Sequence, residues 1–209
     1  MARFSITKLE EARNNPQRFA ESLTETKEDQ KFFPRSKFAD WQRAAIFFHD
    51  GDNLSGAIKK LTTVFTLNYK ESIKNQKELE QLVVNLENYA HRAEKRGLTL
   101  FDKRRNIRID INADLLMTGQ IPLIYMNDKG GYAASFFQKQ TTFWQDELKY
   151  PIIQHHIAES LLGCDVKTVE VGIYSLEDED FSLKTYSKKA INDAIEELKD
   201  LGDSIVSYM

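Results

Sequence analysis

Cys164 is the only cysteine in this chain of 209 residues. A lone thiol closes no intramolecular disulfide and builds no cysteine-rich zinc site, so nothing marks an oxidising compartment. It reads as a small apolar residue at the end of a helix. Excess charge is lacking too: 29 Lys and Arg stand against 32 Asp and Glu, a formal charge of −3. That balance excludes coating a nucleic acid by bulk electrostatics, so any such contact must run through a local basic patch. No stretch approaches the roughly 20 apolar residues that cross a bilayer. The first eleven residues mix charges with short apolar stretches and lack the apolar run of a secretory signal. A cytoplasmic protein without a membrane partner is therefore expected. Phosphate-binding glycine loops, nucleophile elbows, zinc-ligand spacings and dinucleotide fingerprints are missing, as are internal repeats and low-complexity tracts.

What is present is ordinary globular material, 41% hydrophobic and 29% charged, enough for one well-buried core and cramped for two. The expected plan is a helical N-terminal extension over residues 1–75, packed on an α/β core over residues 76–209. In the extension, Leu9, Ala12, Phe19 and Leu23 have helical spacing, broken by Asn14, Asn15 and Pro16 into two short helices. A polar stretch over 24–35 ends at Pro34. Two more apolar stripes follow, at Trp41, Ala44, Ala45 and Phe48 and at Ile58, Leu61, Val64 and Phe65. Asp50, Gly51, Asp52 and Asn53 form the turn between them.

The clearest amphipathic helix is 76–96, with Leu79, Leu82, Val83, Leu86, Ala90 and Ala93 on one side and Gly97 as its stop. There the period changes from helical to two. Ile107, Ile109, Ile111, Ala113 and Leu115 alternate with Arg108, Asp110, Asn112 and Asp114, predicting a first strand, with a turn at 117–120. Residues 120–126 are apolar on both faces, an inner strand, followed by a hairpin loop at 127–131 with two glycines free to take positive φ. A third strand is expected at 132–139, a helix at 145–162 with Pro151 near its first turn, and a fourth strand at 166–176. After an acidic loop at 177–180, Ser187 caps a last helix. A meander joined by a helix to a fourth strand gives a mixed sheet with helices on its faces.

Several stretches together resemble the RecB-like branch of the PD-(D/E)XK nuclease superfamily. The run Phe4-Ser5-Ile6-Thr7-Lys8-Leu9 with Asn15-Pro16-Gln17-Arg18-Phe19 is similar to the opening of those domains. Gly119-Gln120-Ile121-Pro122 is similar to the stretch in which a metal-binding aspartate follows a glycine by three residues. Gly131 through Lys139 resembles the strand that normally ends in acid, any residue, lysine. The helix with Pro151 and Gln154 resembles the one carrying the family's glutamine motif. The resemblance implies a restriction-endonuclease-like core.

In active members the two acids hold magnesium or manganese, which generates a hydroxide at the scissile phosphate. Here those positions are Pro122 and Phe137, neither of which offers an oxygen ligand. On a strand, Phe137 and Lys139 share a face, and the resemblance places Pro122 beside them, turning the expected metal pocket into an apolar plug. The implied protein is a catalytically degenerate module that needs no cofactor. It would bind nucleic acid, DNA foremost, or serve as a structural part of a DNA-processing, phage, mobile-element or defence assembly, with a protein partner or a second copy. A second reading keeps a magnesium- or manganese-dependent deoxyribonuclease with relocated acids, its site Asp114, Glu147 and Lys139, with Asp146 and Glu159 nearby. A third is an interaction protein using the aromatic block Phe32, Phe33, Phe38, Trp41, Phe47 and Phe48 against a partner.

Lys95, Arg96, Lys103, Arg104, Arg105 and Arg108 form the densest basic stretch, and the last four, with Phe101 near them, are the candidate nucleic-acid contact. His155 and His156 are adjacent, a spacing unlike the i, i+4 pair of helical zinc sites, and His91 reads as a surface residue. Lys188 and Lys189 open the last helix against its positive end, so an anion is expected near them, with Asp178 and Asp180 as candidates.

Overall fold

The computed structural model describes residues 1–24, 36–51, 53–141 and 143–209. The polar stretch with Phe32, Phe33 and Pro34, and Asp52 of the turn, lie outside the described residues. Alternation at the N-terminus makes a strand: Phe4 and Ile6 are buried while Arg3 and Ser5 are exposed, and β1 is Ala2–Ser5. This corrects the helical reading of residues 2–5, whose period-two alternation finds a partner edge in the sheet, while Ser5 caps the short helical turn that follows through the Thr7 amide. Helices α1 (Leu9–Asn14) and α2 (Pro16–Thr24) follow. Asn15 separates them and accepts the Arg18 amide on its side chain, and Pro16 opens α2 where its missing N–H costs nothing.

Helices α3 (Lys37–Phe48), α4 (Leu54–Asn68) and α5 (Ile73–Lys95) carry the expected stripes. The Asn53 side chain caps α4 through the Gly56 amide and Ser72 caps α5 through the Asn75 amide. Gly97, with φ +61°, ends α5 as expected.

The strands are β2 (Thr99–Asp110), β3 (Leu115–Met126) and β4 (Tyr132–Gln138). The first strand thus begins earlier and ends sooner than expected, and the turn lies at 112–114, where the Asn112 side chain accepts the Asp114 amide. The expected turn at 117–120 is instead the interior of β3. Gly119 there is no turn signal: a Cβ would lie 2.4 Å from Ile6 Cγ2, so the glycine admits the chain leaving β1. The 127–131 hairpin forms as expected, with Gly130 at φ +77°.

Helix α6 (Lys149–His155) widens into π-helical turns over His156–Leu162 and stops at left-handed Gly163. Strand β5 (Val169–Ser175) and the unexpected β6 (Asp180–Lys184) precede α7 (Lys188–Ser207), which Ser187 caps through the Ala190 amide.

These six strands form one mixed sheet. β2 runs antiparallel along the full length of one edge of β3. The other edge is shared: β1 takes Leu115–Thr118 in parallel and β4 takes Leu123–Met126 antiparallel. β5 pairs parallel with β4 and antiparallel with β6. The parallel β4–β5 step requires the α6 crossover. Helices cover both faces. One core joins α1, α2, α6 and α7 to Ile107, Met117, Val171 and Ile173; the other joins α3, α4 and α5 to Leu123, Tyr125, Ala133, Phe137 and Tyr174. Residues 1–75 contribute β1 to the sheet and helices to both layers. Among the described residues no helix is long and apolar enough to cross a membrane.

Backbone irregularities set the site. Ile121 belongs to one core and Leu123 to the other, although residues two apart on a regular strand share a face. The switch falls at Pro122, which offers no N–H to a ladder. On the neighbouring strand, between the pairs Lys103–Leu123 and Arg105–Ile121, Arg104 takes φ +52°. A second irregularity between Leu100 and Asp102 leaves Phe101 without a partner across the strands.

Candidate functional site

Pro122 and Phe137 converge. They line a groove of about 380 Å3 with Gln120 and Arg104 from the sheet and Ala39, Gln42, Arg43 and Ile46 from α3. The groove lies where α3 packs on the stretch of β3 between its pairing with β1 and its pairing with β4, and its floor is carbon. The Phe137 ring stands edge-on to Trp41 at 5.4 Å and to Tyr89 at 5.7 Å between centroids. Lys139, exposed just past β4, holds its ammonium 5.6 Å from the Phe38 ring centre, over the same helix.

The polar rim is cationic and amidic, with no carboxylate among the lining residues. Arg43 Nη1 lies 3.3 Å from Asp40 Oδ1, and Asp40 is buried beneath it with a second anchor from the Tyr69 hydroxyl at 2.9 Å. Gln120 donates to Asn106 at 3.0 Å. Arg104 is exposed and, among the described residues, has no ion-pair partner. Two guanidiniums and two amides above an apolar floor suit a phosphate diester far better than a divalent cation.

The basic stretch does not act as one patch. Lys103 turns toward the α3–α4 corner and pairs with Asp50. Arg105 points to the opposite layer, 3.7 Å from Asp102, and Arg108 lies 3.4 Å from Asp110. Of the four, Arg104 alone lines the groove. Left-handed backbone at Arg104 reverses which face the following residues take.

Gln154 lies in the other layer, fully buried. Its amide donates to Val166 O at 2.8 Å and Tyr186 O at 3.1 Å and accepts from Tyr186 N at 2.7 Å. It ties α6 to the segments flanking β5 and β6 and does not reach the groove. The relocated-acid set is not assembled either. Asp114 sits in the β2–β3 turn with its carbonyl on the Ala2 amide. Glu147 pairs with Lys149 at 2.5 Å, and Lys149 stands over Phe136 and Tyr150 on the α6 side, whereas Lys139 lies on the α3 side. Asp146 and Glu159 are exposed on the α6 side. Among the described residues no three His, Cys, Asp or Glu side chains are grouped to hold a metal ion.

Of the aromatic block, Trp41 and Phe48 are core and Phe38 and Phe47 are partly buried. His91 is exposed, and His155 and His156 are half-buried. Cys164 packs partly against the core beside Gly163. Lys188 and Lys189 do find anions, but these are Asp165 at 3.9 Å and Asp193 at 2.6 Å. Asp178 instead accepts from Thr141, and Asp180 meets Arg96.

Sequence reasoning missed Gln42, Arg43 and Gln120, which carry no motif and meet only through the packing of α3 on the sheet. It also missed a buried chain of hydrogen bonds behind the groove. His49 Nε2 and Tyr89 OH are 2.7 Å apart, Tyr89 OH and Tyr125 OH 2.8 Å, and Tyr125 OH and Ser135 Oγ 3.2 Å. Burial pushes the His49 imidazole down to about 4 and the Tyr89 phenol well up, so both are neutral near pH 7. The chain braces α3 and α5 against β3 and β4. Comparison with protein-family models and with curated protein sequences finds no match to this chain.

Proposed function

We propose that the protein is a nucleic-acid-binding module built on a PD-(D/E)XK-like core, without the metal-dependent cleavage of that family. Support for the core comes from the order helix α5, meander β2–β3–β4, helix α6, parallel strand β5, in a sheet with helices on both faces. The resemblance adds an assignment for Pro122 and Phe137, and the two side chains do line one groove.

The observation that carries the reading is the pairing, in that groove, of an apolar floor at the acid positions with the guanidinium of Arg104, which has no ion-pair partner among the described residues. A buried carboxylate without its metal would be costly or protonated, so exchanging both acids for carbon leaves the hollow stable. Arg104 then supplies charge for a phosphate backbone, Arg43, held by Asp40, adds N–H donors, and a few such contacts give affinity that falls with salt. With no carboxylate among the residues that line the groove to place a hydroxide, Lys139 lacks a partner for cleavage there and serves as a further cation at the lip.

Fluorescence anisotropy with labelled DNA oligonucleotides, across a salt series and with manganese present, tests this. Binding that weakens with salt and on Arg104→Glu, with the DNA left intact, is expected. Manganese-dependent degradation lost on Lys139→Ala overturns the non-catalytic part, and absence of binding at low salt overturns the rest.

A further inference from the structure

On the opposite face of β2 from the groove, three backbone irregularities meet around a second hollow. It measures about 280 Å3 and is walled by Phe101, Asp102, Arg105, Ile124, Leu161 and Leu162. Phe101 is the residue left unpaired by the β2 bulge, and it is 50% exposed. Leaving half of a phenyl ring in water forgoes apolar burial. A bulge is a device that re-aims a side chain, and this one sends an aromatic ring outward, edge-on to Tyr132 at 5.2 Å. Leu161 and Leu162 come from the π-helical end of the helix following β4, a widening that is frequent at functional sites. Arg105 reaches this face because Arg104 is left-handed.

We propose that this hollow receives one unpaired nucleobase of a single-stranded nucleic acid. The proposal rests on the nucleic-acid reading above and goes further, naming the strandedness of the ligand. The occupant is argued from size and charge. A flat base fits about 280 Å3 with room for its sugar, an exposed aromatic ring offers a stacking face, and Arg105 stands ready for the adjoining phosphate. Asp102, 3.7 Å from Arg105, presents an acceptor for an exocyclic amine. The guanidinium of Arg104, on the far face of the same edge strand, takes the backbone as it passes around β2. A duplex has no free base to offer and gains only the charge contacts.

The test compares a labelled single strand of about 12 nucleotides with the same sequence as duplex, using wild type, Phe101→Ala, Phe101→Trp and Arg104→Glu. Single strand is expected to bind wild type about tenfold tighter than duplex, from the stacking contribution of one base. Phe101→Ala should erase that preference while leaving duplex affinity and salt dependence alone, and Phe101→Trp should keep it. Arg104→Glu should weaken both ligands. Equal wild-type affinity for the two ligands, with both weakened by Arg104→Glu, overturns this proposal and leaves the groove reading standing. So does a preference that survives Phe101→Ala. Wild type that binds neither ligand overturns both.

Discussion

The indole of Trp41 and the ring of Phe137 meet almost perpendicularly, at 89° with 5.4 Å between centroids. Trp41 is fully buried and also stacks on Tyr174 at 5.9 Å, so Phe137 is one wall of an aromatic box. That packing is what an acid at position 137 would have to displace.

Phe137→Glu should therefore cost about 3 kcal/mol or more of folding stability, since it removes the ring and buries a carboxyl among carbon. Urea denaturation measures the loss. If Pro122→Asp with Phe137→Glu gave a well-folded protein whose melting temperature rose with manganese, the claim that the hollow is committed to carbon would fail.

Arg104 separates backbone from charge. Its left-handed φ of +52° disfavours β-branched residues and suits glycine. Arg104→Gly is expected to be as stable as wild type to within about 1 kcal/mol, and Arg104→Val less stable than the glycine variant by roughly 1–2 kcal/mol. Both should bind nucleic acid equally poorly, with the slope of log affinity against log salt reduced by about 1. A valine variant as stable as the glycine one speaks against strain at this position.

His49 makes stability depend on pH in a definite sense. The unfolded imidazole protonates near 6.5, whereas the folded one resists until about 4. Between those values the unfolded chain binds the extra proton, so the contribution is complete above 6.5 and is lost as pH falls, reaching about 3 kcal/mol. His49→Gln should flatten the difference in urea midpoint between pH 7 and pH 4.5 relative to wild type. An unchanged slope means the ring is hydrated in the folded protein.

Gln154→Leu, nearly equal in volume, leaves the Tyr186 amide and the Val166 and Tyr186 carbonyls without their side-chain partner. A loss of roughly 3 kcal/mol is expected, with nucleic-acid affinity unchanged at a temperature where the variant is folded. A variant that stays stable yet loses binding would place Gln154 in the site after all.

Elements with a strong period or a cap were legible in the sequence: the α5 stripe, the Asn127–Gly131 hairpin, the Ser187 cap of α7. Strand β2 was half hidden, because Lys103, Arg104 and Arg105 stand consecutively on an edge strand where the bulge and the left-handed residue break alternation. Gly119 reads as a turn because its real reason, the approach of Ile6, lies more than a hundred residues away in sequence. The convergence of Pro122 and Phe137 follows from the resemblance, whereas the basic stretch by itself does not say that Arg104 is the member that joins them. Arg43 and Gln42 were not legible, since nothing local in α3 says which strand it will cross.

The seating of β1 on β3 has a consequence for assembly. Ala2 through Ser5 are synthesised more than a hundred residues before Leu115–Thr118, their strand partner among the described residues. They must wait, unpaired, until that segment of β3 is made, and closing so long a loop is entropically slow. Bulky cargo placed directly ahead of β1 should accordingly hinder maturation more than equal cargo placed directly after α7.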